Sequence, residues 1–303
     1  MGSNLIDQDC TNYLGTYLGE HQNTSAQKAL ENTDCLIAVG VIYSDLNSFG
    51  FRLPYKINSQ IAIHGTYTIV EKERFDNIKM SDILDKLTKI IEPFDIKIEA
   101  EFTGYKPSKI TDGKLTSEYI YPRFQEFIKE NDIIIAETGI VPYGIYSMKL
   151  PKNVEIISQT LYGSIGWATP ATLGICIANP NSRVILFTGE GAHQFIALEL
   201  GTMLKLGLKP IIIVLNNQGY TTERMLTKDP EDKFNNIIQM NYSKFARIFE
   251  GDIWSTRVET ADDFDKALKV TKIMNKLCYI EICTDKLDLP ELSYKILLNY
   301  KNK

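Results

Sequence analysis

Arg183–Glu223 reads RVILFTGEGAHQFIALELGTMLKLGLKPIIIVLNNQGYTTE. Val184–Gly189 is a strand that ends on a glycine turn, His193–Leu206 suits a helix, and Ile211–Asn216 is a second strand closed by a polar turn. Strands of this length climb about 20 Å at about 3.3 Å per residue, and a 14-residue helix returns about 21 Å at about 1.5 Å per residue. Glu190, just past the first strand, and Asn217, 27 residues on and just past the second, therefore reach one carboxyl edge of a parallel sheet. Open α/β sheets bind ligands at that edge.

A carboxylate from Glu190, an amide oxygen from Asn217 and the backbone carbonyl of Gly219 form a set of hard oxygen donors. Magnesium fills its octahedron with a few such donors plus phosphate oxygens and water, so the set implies a bound diphosphate. Gly189 and Gly191 allow close backbone approach to phosphates, and a helix opening near Ala192 and His193 offers unpaired N–H groups. On spacing alone, the same residues also suit a plain strand-to-helix turn followed by a polar loop.

Outward from this stretch, Ile133–Glu137, Val154–Ser158 and Cys278–Cys283 are further candidate strands, alternating with helical patterns from Tyr119 onward. That alternation indicates a parallel sheet covered on both faces. Earlier in the chain come a helical pattern at Ser25–Asn32, apolar runs at Cys35–Val41, Gln60–His64 and Thr68–Val70, and an amphipathic stretch at Met80–Ile91. Pro93–Ser117 is rich in charge, proline and glycine and reads as a boundary. The expected division is residues 1–95, a linker over 96–118, and 119–303.

Composition narrows the partners. A net charge of −5 and a pI near 5.4 give no pull toward nucleic acid or anionic membrane. Five cysteines, Cys10, Cys35, Cys176, Cys278 and Cys283, stand singly, without disulfide or zinc spacing, which fits a reducing cytoplasm. The first residues lack an export signal, and no aliphatic run is long enough to span a bilayer.

GEG at Gly189–Gly191 and NN at Asn216–Asn217 resemble the signature of thiamine-diphosphate enzymes, GDG followed some two dozen or more residues later by asparagine. Gly189–Gln194, Glu199, Gly207–Pro210 and Val214–Glu223 are similar to pyruvate and indolepyruvate decarboxylases in particular. AETG at Ala136–Gly139, YGSIGWATPATLG at Tyr162–Gly174 and GTYLG at Gly15–Gly19 extend the resemblance over nearly the whole chain. It implies an α/β fold: a parallel-sheet pyrophosphate domain preceded by a truncated Rossmann-like middle domain.

Carried over by position, the resemblance implies magnesium on Glu190, Asn217 and the Gly219 carbonyl, and diphosphate against Gly191, Ala192 and Thr221. Gly139 and the carbonyl of Gly163 would meet the aminopyrimidine, Ile165 would wedge the cofactor into its bent form, and Glu223 would assist decarboxylation and proton transfer. Two positions depart from the family pattern: Glu190 replaces an aspartate and Ala192 a serine. The implied activity is non-oxidative decarboxylation of a 2-oxo acid to an aldehyde. The family's first domain, which supplies the glutamate for the pyrimidine, is expected to be missing from this chain and to come from a separate partner chain; a homo-oligomer is the other assembly expected. An inactive remnant or a non-enzymatic cofactor-binding protein is the alternative. His21, His64 and His193 assemble no His-based triad, and His193 is read as a packed or solvent-facing ring rather than a phosphate ligand. A nicotinamide-binding dehydrogenase is disfavoured, because no GxGxxG follows any strand.

Overall fold

A computed structural model describes residues 2, 4–17, 24–44, 48, 59–92, 102–107 and 113–301. Leu18, Gly19, His21 and residues 96–101 and 108–112 of the expected linker lie outside the described residues. The chain divides into one unit of residues 11–102 and a second built from residues 3–10 with 103–303.

The first unit carries a four-stranded sheet in which strands β1 (Cys35–Val39), β2 (Ser59–Ile63), β3 (Tyr67–Val70) and β4 (Glu73–Asp76) lie side by side in that order. β1 and β2 run parallel, while β2, β3 and β4 are antiparallel neighbours. Helices Thr24–Glu31 and Met80–Ile90 fall where the apolar periodicity places them. β4 was not among the expected strands, because ERFD is exposed throughout and shows no apolar alternation. His64 stacks on Tyr67 with ring centroids 4.4 Å apart, a structural role at a strand end.

In the second unit, β5 (Ile133–Ala136), β6 (Glu155–Ser158), β7 (Val184–Gly189), β8 (Ile211–Asn216), β9 (Ile253–Val258) and β10 (Leu277–Cys283) form one parallel sheet, ordered β6-β5-β7-β8-β10-β9. The four inner strands are almost wholly buried, as expected for strands covered on both faces. Ile135, Leu186, Ile212, Val214 and Tyr279 meet helix residues Ala168, Leu200 and Met203 in one core. Each buried aliphatic side chain contributes roughly 1.5–3 kcal/mol. The chain leaves β5 toward β6, then returns to place β7 on the other side of β5. That reversal opens a crevice at the carboxyl ends of β5 and β7.

The β7–β8 connection departs from the expected one. The single helix expected over His193–Leu206 is two short ones, Glu190–Gln194 and Glu199–Lys205. Between them the backbone tightens into three-residue hydrogen bonds, Ile196 N to His193 O and Leu200 N to Ala197 O among them. Phe195 and Leu198 in this stretch point to solvent, so no core packing holds a regular α-turn there. β9 was also missed: IWSTRV mixes polar and apolar residues as an edge strand does. At the opposite edge, the Asn4 side-chain amide donates to Ile156 O at 2.9 Å and accepts from Ile156 N at 2.8 Å, so it pairs with the free backbone of β6.

Candidate functional site

β7 and β8 are parallel neighbours with Gly189 opposite Leu215, so Glu190 and Asn217 emerge side by side. The Glu190 carboxylate is buried and lies across the turn after β8, accepting the backbone N–H of Gly219 at 2.6 Å. The backbone N–H groups of Asn217 and of Glu190 itself also face the carboxylate. Burial nevertheless pushes its pKa up to about 7; these N–H groups and the nearby Arg224 charge oppose the rise. A cation at this carboxylate would offset the desolvation.

Asn217 is buried, and its Oδ1 has no hydrogen-bond partner among the described residues. A buried amide oxygen without a donor is costly, and it suits a ligand position. Glu190 and Asn217 thus fit a hard divalent cation on two counts: a buried carboxylate that lacks full compensation and an orphaned oxygen beside it. No group of three or more His, Cys, Asp or Glu side chains among the described residues could hold a metal. A site here would depend on amide and carbonyl oxygens for its other ligands.

The turn itself is conformationally demanding. Gln218 and Gly219 both have positive φ, 64° and 140°. A Cβ on Gly219 would stand 2.2 Å from Asn235 O and 2.6 Å from the Arg224 guanidinium, so only glycine fits. Gly191 is pinned in the same way, since a Cβ there would meet the Tyr220 ring at 2.6 Å. Ala192 is buried next to it. Thr221 Oγ1 donates to Lys286 O at 2.8 Å, and its backbone N–H lies in the first turn of helix Thr221–Leu226, where helical N–H groups lack partners within the helix. Glu223, two residues further on, is exposed.

Across the crevice, Glu137 directly follows β5; it was not among the expected site residues. Its buried carboxylate accepts Thr138 N at 3.0 Å and Ala168 N at 3.2 Å, and so it holds the start of helix Ala168–Ala178. Burial raises its pKa to about 7. Thr138 Oγ1 donates to Ser164 O at 3.0 Å, tying down the loop that carries Gly163 and Ile165. That loop turns through positive φ at Gly163 and Gly166, and Gly139 at its partner edge has φ 128°. The half-exposed Ile165 is presented between the two loop glycines.

His193 is fully buried, packed against Tyr279 and hydrogen bonded through Nδ1 to Thr169 Oγ1 at 3.1 Å. Burial lowers its pKa to about 4, so it stays neutral. Of the two roles weighed for it, the packed ring is the one observed.

Comparison with known proteins places the chain. A family description of the thiamine pyrophosphate enzyme C-terminal TPP binding domain matches residues 142–282, and one of the central domain matches residues 1–86. The chain belongs to the thiamine pyrophosphate enzyme family. Within it the similarity is to pyruvate decarboxylases. That of Aspergillus fumigatus is 32% identical over 300 residues, covering 96% of this chain and 52% of the relative. Pyruvate decarboxylase isozyme 1 of Saccharomyces cerevisiae is 33% identical over 310 residues, covering 96% and 54%. The chain thus spans about half the length of these curated relatives. Among solved structures, the thiamine diphosphate-dependent 4-hydroxybenzoylformate decarboxylase of Rhodococcus jostii RHA1 superposes with a TM-score of 0.68 at 18% identity, covering 85% of this chain and 50% of that one. The parallel α/β fold is therefore shared with this family's structures. No helix among the described residues is long and apolar enough to cross a membrane.

Proposed function

We propose that this chain carries the diphosphate and magnesium end of a thiamine-diphosphate-dependent decarboxylase that converts a 2-oxo acid to an aldehyde. The observation that carries the reading is the convergence of the buried Glu190 carboxylate on the Asn217–Gly219 turn, beside the partnerless Asn217 Oδ1. Glu190, Asn217 Oδ1 and the Gly219 carbonyl would hold Mg2+, while backbone at Gly191, Ala192 and Thr221 would meet the diphosphate.

Gly139, Gly163 and Ile165 would receive the pyrimidine and set the angle between the cofactor's rings. Glu137 and Thr138 keep that loop in place. When bound, the cofactor supplies the nucleophilic carbon and the electron sink for loss of carbon dioxide. Glu223, exposed at the mouth of the site, would hold a proton near the substrate end.

The pyrimidine end would be completed by the family's first domain. Exposed apolar side chains on the second unit, Tyr162, Phe195 and Leu198, support a covered face. The test is calorimetric titration of the purified chain with thiamine diphosphate and Mg2+, alone and with a chain carrying a first domain, followed by assay for aldehyde from pyruvate and indolepyruvate. Magnesium-dependent heat with aldehyde release is expected from the combined chains. Absence of heat under both conditions would contradict the reading and favour an inactive remnant.

A further inference from the structure

Arg224 is fully buried, one of the largest side chains in the core, and sits on the helix that follows the turn. Among the described residues, its guanidinium donates to no carboxylate but to oxygens of the backbone and one amide. Nη1 reaches Asn217 O at 3.1 Å and Lys286 O at 3.5 Å; Nη2 reaches Gln218 O at 2.5 Å and Asn236 Oδ1 at 2.9 Å. Two of these acceptors are the successive carbonyls of the turn whose next residues have positive φ.

We infer that Arg224 is a positioning residue whose planar fork fixes the Asn217 and Gln218 carbonyls and thereby presents Asn217 Oδ1 and Gly219 to a divalent cation. This rests on the reading of the site given above. A turn with consecutive positive φ values at Gln218 and Gly219 does not hold its own shape; it persists only where its surroundings over-determine it. Arg224 supplies that constraint from one side. On the other, Asn216 Oδ1 accepts Gln218 N at 3.3 Å, and Asn216 Nδ2 is anchored to the buried Glu281 carboxylate at 2.8 Å. The glycine at 219 belongs to the same device, because a side chain there would displace the guanidinium.

The guanidinium is the suitable group for this task. It presents several N–H donors in one rigid plane, so it can span two carbonyls and an amide at once. A lysine ammonium carries its three donors on one nitrogen and cannot.

The test compares the full chain with Arg224→Lys and Arg224→Met by two measurements. Hydrogen exchange without ligand reads the turn directly, and calorimetry at saturating thiamine diphosphate gives the Mg2+ concentration for half-saturation. Both variants are expected to exchange faster at residues 217–220 with the inner strands unchanged. Their half-saturating Mg2+ should rise about 10–100-fold, the range for residues that orient metal ligands. A purely structural arginine would lower thermal stability and leave the half-saturation where it was. Folded variants with unchanged exchange at the turn, or with unchanged half-saturation, overturn the inference while the site reading stands.

No magnesium-dependent heat from the parent chain, either alone or together with a chain carrying a first domain, overturns the site reading, and the inference with it. Should both Arg224 variants fail to fold, Asn236→Ala decides. It removes one anchor of the guanidinium from an exposed position and should raise half-saturating Mg2+ about 2–5-fold, a fraction of the full effect. No change in that variant overturns the inference.

Discussion

The carboxylate of Glu190 accepts the backbone N–H of Gly219 at 2.6 Å, although 29 residues of chain separate them. Two parallel strands and the helical return between them create this contact, which joins a buried acid to a turn that only glycine can complete.

Gly219→Ala tests the turn. The added methyl meets Asn235 O and the Arg224 guanidinium, and the φ of 140° disfavours any side chain. A loss of about 2–4 kcal/mol is expected, in the range for strain and overpacking at a buried special conformation. Urea denaturation measures it; a loss under about 0.5 kcal/mol, the size of an ordinary surface change, would show that the turn yields freely.

Much of this site was legible in the sequence because strand and helix rises fix where Glu190 and Asn217 arrive. The residues that support it were harder to see. Glu281 lies inside the apolar run Leu277–Cys283, and a charged residue inside such a run signals a buried, partnered group. Glu137 directly follows an equally apolar strand and gave the same signal. Arg224 gave none, since TTERML reads as an ordinary polar helix start and only the tertiary fold buries that one side chain. The break at Phe195–Leu198 was hidden for the converse reason: the stretch reads as a continuous helix, but Phe195 and Leu198 face solvent and only Ala197 between them is buried.

Glu137→Gln should flatten part of the pH dependence of stability. In the folded chain Glu137 titrates near about 7, above the ordinary value of 4.5. The neutral acid is the form the fold prefers, so this contribution is complete below about pH 4.5 and is lost as pH rises through about 7. The raised value is equivalent to up to about 3 kcal/mol. Between pH 5 and pH 8 the parent's urea midpoint should fall further than the variant's; parallel curves would count against a perturbed acid at this position.

Glu223→Gln separates chemistry from architecture. The side chain is exposed, so folding stability should change by no more than about 0.5 kcal/mol. Cofactor affinity should also hold, while turnover of the completed assembly should drop about 10²–10⁴-fold, as for loss of a general acid or base. Turnover within a factor of two of the parent would remove Glu223 from the mechanism.

The central claim is that Asn217 Oδ1 is held partnerless for a cation, and Asn217→Ala tests it most directly. Deleting an oxygen that has no donor should cost the fold little, so the variant should melt close to the parent. Calorimetric titration with thiamine diphosphate across a range of Mg2+ should show magnesium-dependent binding in the parent and its loss in the variant. Equal affinity and equal magnesium dependence in the two would contradict the account.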